Sequence, residues 1–195
     1  MKFSILFFML FLTVGCASRP INDRIDLVEP DHGYRPHLLI NNRQRNSPAT
    51  LFVLSFSGGG TRAAALSYGV LEELNRYEIP GTGENQRLID EVDLITGVSG
   101  GSFTALSYAL YGDRLFAEYE NRFLKRNVQG ELARRSLLYP VNWFRMMSGD
   151  YGRSEVAADY YDEILFENAT FNDLAGTGGP VAIATSTVLS TGTRL

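Results

Sequence analysis

Val92-Asp93-Leu94-Ile95-Thr96-Gly97-Val98-Ser99-Gly100-Gly101 is the stretch on which the reading of this chain turns. Its first four residues are largely apolar and suit a buried strand, and a serine flanked by glycines follows directly. A chain that turns sharply from strand into helix has no room for bulk beside the turn, which accounts for Gly97 and Gly101. Such a turn, a nucleophile elbow, lifts the Ser99 hydroxyl clear of the sheet. The chemistry this suits is acyl transfer, in which a hydroxyl attacks a carbonyl carbon.

Working outward, Leu51–Phe56 reads as another buried strand, followed by the glycine loop Ser57-Gly58-Gly59-Gly60-Thr61. A helix is expected over Arg62–Tyr77, with Leu66, Val70, Leu71 and Leu74 on one inward face. Pro80–Gln86 is a turn-rich loop before the strand Val92–Val98. The elbow should open a helix that carries Phe103, Leu106, Leu110 and Tyr111 inward. Further helices are expected over Asp113–Arg126 and Glu155–Phe166, the latter capped by Ser154, with a third strand over Pro180–Ser186. Strand–helix–strand–helix order predicts an α/β domain with a mainly parallel sheet.

Gly58 and Ser99 are 41 residues apart, enough for one strand–helix–strand unit between them. Both glycine loops can then meet at the carboxyl edge of one sheet, where α/β sites form. One loop offers a hydroxyl, and the other offers successive backbone N–H groups suited to an oxyanion. Alone, the Gly58 loop could instead cradle a phosphate. Ala63 in place of a final glycine, and the absence of Gly-Lys-Ser/Thr, argue against that reading. Tight-turn glycines without chemistry would explain one cluster, but poorly explain two at matched strand ends.

The two histidines, His32 and His37, precede the first strand and read as solvated surface residues. No histidine follows Ser99, so a triad in the order serine, acid, histidine is excluded within these residues. A serine without a histidine needs another base, for which a carboxylate is the natural candidate.

Ser57-Gly58-Gly59-Gly60-Thr61-Arg62 followed by Gly97-Val98-Ser99-Gly100-Gly101 resembles the patatin-like phospholipases, lipid acyl hydrolases with a Ser–Asp dyad. The resemblance covers the chain from Leu51 onward. It implies a three-layer fold around a mainly parallel central sheet, Ser99 as nucleophile, and an oxyanion hole at Gly58, Gly59 and Gly60 with Arg62 bracing that loop. The substrate implied is a lipid or phospholipid ester at a membrane surface. The family's aspartate lies in an Asp-Gly-Gly or Asp-Gly-Ala motif. The aspartates after Ser99 are Asp113, Asp150, Asp159, Asp162 and Asp173, and none precedes a glycine. Ser190-Thr191-Gly192-Thr193 reads as a turn whose return strand is only begun, so the dyad aspartate is expected outside this sequence, with 51–195 an incomplete domain. Two rivals stand beside this reading: a non-catalytic envelope lipoprotein that keeps the fold, and a phosphate- or nucleotide-binding module built on Gly58–Gly60.

The chain has 195 residues, 45% hydrophobic and 21% charged, with a formal net charge of −4. Nothing is basic enough to point to nucleic acid. No His/Cys cluster or acidic loop with ligand spacing points to a metal, and no cofactor is implied. Lys2 followed by the apolar run Phe3–Val14 suits an export signal, being short of the ~20 residues that span a bilayer. Cys16, the only cysteine, stands directly after it, behind the small Gly15. Residues 1–16 resemble a bacterial lipoprotein signal with Cys16 lipidated, although Thr13 stands where that pattern has leucine. Conventional cleavage after Ala17 is the alternative. The expected location is the cell envelope, at the outer membrane in a Gram-negative source. Residues 17–50 read as a polar tether and lead-in. The aromatic-rich segment Leu137–Met147 is read first as packed helix, and second as an acyl channel or bilayer contact with Tyr139 and Trp143 at the interface.

Overall fold

Parallel pairing of three strands organises the larger part of the molecule. The computed structural model describes residues 27, 30, 33–41, 50–80, 86–147, 151–187 and 192–193. Strands β1 (Phe52–Phe56), β2 (Val92–Val98) and β3 (Val181–Thr185) form a sheet in the order β1-β2-β3, every pair parallel. The fold is mixed α/β, as the alternation of elements predicts. Residues 127–164 form one compact unit, and the described residues of 29–126 and 165–195 form the other, which holds the whole sheet.

In register, Leu54 pairs with Ile95 and Ile95 in turn with Ala182, and Phe56 pairs with Gly97 and Gly97 with Ala184. Helix α3 (Gly100–Tyr111) lies against the sheet, with Ile95 and Ala182 buried. Helix α2 (Gly60–Arg76) packs on α3 and not on the sheet. The expected face of α2 holds at Leu71, which is fully buried, and at the half-buried Leu74, but not at Leu66 and Val70. Its buried side chains are Ala64, Ser67, Tyr68 and Leu71, while Leu66 is 70% exposed and Val70 is exposed too. The small Ala64 and Ser67 let the two helices approach closely, and the large Tyr68 and Leu71 fill the space beside them. The same holds for α3. Gly100, Gly101, Thr104, Ala105, Ser107, Tyr108 and Ala109 are its buried residues, and Phe103, Leu106, Leu110 and Tyr111 are only half-buried.

Thr104 joins the two helices. Its hydroxyl donates to the Ala64 carbonyl at 3.0 Å and shares a 2.9 Å hydrogen bond with the Tyr119 hydroxyl. Thr104→Val keeps the shape and removes both bonds. The expected loss is about 1–2 kcal/mol in urea unfolding, because the Ala64 and Tyr119 partners stay buried.

The remaining elements frame this core. At the start of β2 the register with β1 shifts, and the buried Asp93 carboxylate accepts the Phe52 N–H at 2.8 Å. Helix α1 (Pro36–Asn41) lies within the stretch read as tether, and the neighbouring Tyr34 hydroxyl accepts the Ala182 N–H of edge strand β3 at 2.7 Å. His37 is exposed, as expected; His32 lies outside the described residues. Helix α4 (Arg114–Tyr119) runs on into a π-helical turn, Glu120–Leu124. In the other unit are α5 (Val128–Leu138), α6 (Pro140–Met147) and α7 (Arg153–Tyr161), and α7 continues into a π turn at Asp162–Phe166. The cap of α7 is Gly152, whose N–H donates to Glu155, so Ser154 lies inside the first turn and not at its head. Helix α8 (Phe171–Gly176) precedes β3. No helix among the described residues is long and apolar enough to cross a membrane.

Arg114 and Arg122 both pair with Glu118 and Glu167, tying α4 to the chain leading to α8. Hydrogen bonds from Arg114, then from Arg122, hold the carboxyls of Glu118 and Glu167 below the ordinary glutamate range. A depressed folded pKa stabilises above the unfolded value and is lost as pH falls through the folded one. Stability should therefore decline as pH drops below about 4.5. Glu118→Gln with Glu167→Gln should flatten that acid limb in thermal melts.

Candidate active site

The elbow forms where β2 ends and α3 begins. Ser99 caps α3 with φ 51 and ψ −119, a left-handed conformation that is strained for any residue with a Cβ. Serine at such a position ordinarily turns its hydroxyl back onto the first helical turn. Here it makes no cap hydrogen bond, and Ser99 is exposed. The strain aims the hydroxyl outward instead of inward.

Glycines make this turn possible through three separate close approaches. A methyl group at Gly97 would lie 2.5 Å from the Ser102 backbone nitrogen, where the helix folds back over the strand. At Gly101 it would lie 2.7 Å from the Ser57 carbonyl oxygen and 2.8 Å from Phe56 Cβ. At Gly100 it would overlap the Gly60 carbonyl. The elbow is thus seated against the end of β1 and the glycine loop that follows it. Gly100 was not among the residues singled out from sequence, yet its contact is the tightest of the three. The doubled glycine after Ser99 was the available sign.

The other side of the site is the start of α2. A Cβ at Gly58 would stand 3.3 Å from Ser99 Cβ, so the first loop reaches the nucleophile turn directly. Gly59 caps the helix with φ 144 and Gly60 follows with φ 65. With no capping side chain and no acidic residue in the first turn, the first N–H groups of this 17-residue helix have no side-chain acceptor from its cap or first turn. Helix α3 begins beside it, also without an acidic first turn. Two helix N-termini therefore add their positive ends at one place, which favours negative charge there.

Gly58, Gly59, Gly60, Gly97, Ser99 and Gly101 are brought together as the sequence implies. Arg62 lies in the first turn of α2, exposed, with no hydrogen bond or ion pair to the described residues. Cys16 lies outside the described residues. Among the described residues no group of His, Cys, Asp or Glu side chains could hold a metal ion.

An exposed serine on a strained strand-to-helix turn thus stands against a glycine-rich helix start at the carboxyl edge of a parallel sheet. A family model described as patatin-like phospholipase matches residues 54–194. The chain belongs to that family, whose members are lipid acyl hydrolases. No curated protein and no solved structure matches the chain significantly.

Proposed function

We propose that the protein is a serine lipid acyl hydrolase of the phospholipase, lysophospholipase or esterase type. Ser99 Oγ attacks the carboxyl-ester carbon of a lipid while its proton passes to a carboxylate base. The carbonyl oxygen becomes an oxyanion and takes N–H donors from Gly58–Gly60. Collapse returns the proton to the leaving alcohol, and water then releases the fatty acid from the acyl-enzyme by the reverse proton path. The carboxylate base is the aspartate of a Ser–Asp dyad, and none of the aspartates after Ser99 in this sequence stands in the family's Asp-Gly motif. The protein is exported and held at the envelope by lipid on Cys16, next to its substrate.

The approach of Gly58 to Ser99 is the observation that carries this reading, because it sets donors beside the nucleophile. The test is fluorophosphonate labelling of the protein expressed from its whole coding sequence. Labelling that vanishes in Ser99→Ala is expected. Labelling that persists there, or none in the parent, would overturn the assignment.

A further inference from the structure

In the segment read first as packed helix, five of the described large side chains are exposed. In the unit formed by residues 127–164, Leu137 is 65% exposed, Leu138 70%, Val141 62% and Trp143 53%, with Tyr139 exposed as well. Five large apolar or aromatic side chains thus meet solvent within seven residues, at the junction of α5 and α6. The junction itself is well ordered by polar bonds. The buried Asn142 donates from Nδ2 to the Arg135 carbonyl at 3.0 Å, and its N–H donates to the Tyr139 carbonyl at 3.0 Å. The tip is held in shape from behind while its apolar side chains project.

Which partner this tip suits follows from three observations. First, the Trp143 indole N–H already donates to the Ser136 carbonyl at 3.1 Å. The ring can enter an apolar phase without stranding a donor. Second, the Arg134 guanidinium lies over the Tyr139 ring, 5.4 Å from its centre, and Arg145 lies at the far end of α6. Val128–Met147 holds three arginines against the single acid Glu131, a bias that complements an anionic surface. All three arginines have acidic partners, Arg134 with Glu131, Arg135 with Glu163 and Arg145 with Asp159, so charge only assists and apolar contact dominates. Third, the area is wrong for a stable protein partner. The five side chains offer on the order of 500 Å² in total, whereas a stable protein interface buries about 800 Å² on each side. A bilayer interface needs only a few inserted side chains.

We infer that the α5–α6 tip, Leu137 to Trp143, is a membrane-docking element that inserts its leucines, valine and aromatic rings into the interface of an anionic lipid bilayer. This goes beyond the hydrolase reading and does not depend on it, because docking needs no reaction at Ser99.

Trp143 is the only tryptophan of these 195 residues and reports its own environment. The test uses full-length protein carrying Cys16→Ser, so that no lipid anchor contributes. It is mixed with vesicles of equal phosphatidylcholine and phosphatidylglycerol, some made with lipids brominated near the headgroup end of the acyl chain. The expected result is a blue shift of the Trp143 emission with quenching by the bromines, both absent in Trp143→Phe. Leu137→Gln with Leu138→Gln should weaken the partition about tenfold while leaving the melting temperature unchanged, since both leucines are exposed. Vesicles of phosphatidylcholine alone should bind several-fold more weakly. Protein that sediments with vesicles without a Trp143 shift is docking through another segment, and overturns the proposal. A blue shift that follows protein concentration without vesicles means the tip is covered by a second copy, and overturns it equally.

Discussion

Gly100→Ala is expected to destabilise the protein by about 2 kcal/mol and to take Ser99 reactivity with it. Two terms oppose each other at this position. Gly100 is the first residue of α3, where alanine ordinarily gains about 1 kcal/mol over glycine. The added methyl, however, overlaps the Gly60 carbonyl and lies 2.8 Å from its carbon, a collision of backbone with backbone that no rotamer can relieve. Overpacking of this kind costs about 3 kcal/mol. The sterics win, and the relief available is for the elbow and the glycine loop to separate. That separation removes Gly58 from Ser99, so fluorophosphonate labelling should fall further than the stability change alone explains. Gly60→Ala supplies the control. Nothing lies within 4 Å of its added methyl, and its φ of 65 imposes the whole cost, about 1–2 kcal/mol. Urea unfolding and labelling decide the matter: a Gly100→Ala protein as stable as the parent and labelled as fully would show that the loops do not interlock.

The second large effect is at the nucleophile. Ser99→Gly should lose activity by at least a thousandfold, as removal of a nucleophile does, and yet become more stable. At φ 51 and ψ −119 a side chain costs about 1–3 kcal/mol, and glycine is released from that strain. Glycine forfeits about 0.5–1 kcal/mol in backbone entropy, leaving a gain of about 1 kcal/mol. Ser99→Ala should be equally inactive and gain nothing, because its Cβ meets the same backbone. Thermal melts of the pair separate strain from chemistry. Equal melting temperatures for the glycine and alanine variants would mean the elbow holds no such strain.

Much of this site was legible before any coordinates. The strand Val92–Val98, the helix starting at the elbow and the pairing of the two glycine loops all follow from short-range rules about apolar runs and glycine. Those rules read where a chain turns. They do not read which neighbour a helix meets, and there the reading failed. Leu66 and Val70 extend the stripe of Leu71 on paper, but the buried side chains of α2 are Ala64, Ser67, Tyr68 and Leu71. A hydrophobicity pattern undervalues the small Ala64 and Ser67 at a close helix contact. Leu137–Trp143 failed for the opposite reason, since density of large apolar residues was taken as burial when five of them face solvent. Gly100 escaped notice because its constraint comes from Gly60, 40 positions away in sequence and adjacent only in the folded chain.

The seating of Gly100 on Gly60 has a consequence for timing. An elbow with Ser99 at positive φ cannot persist as an isolated turn, and the donors at Gly58 reach it only once β1 and β2 have paired and α2 has crossed between them. A chain still being made or transported has neither half of the arrangement. Reactivity at Ser99 is therefore a clock for the closing of that crossover. The rate at which labelling appears after dilution from denaturant should follow the slowest step of sheet assembly, not the formation of any helix.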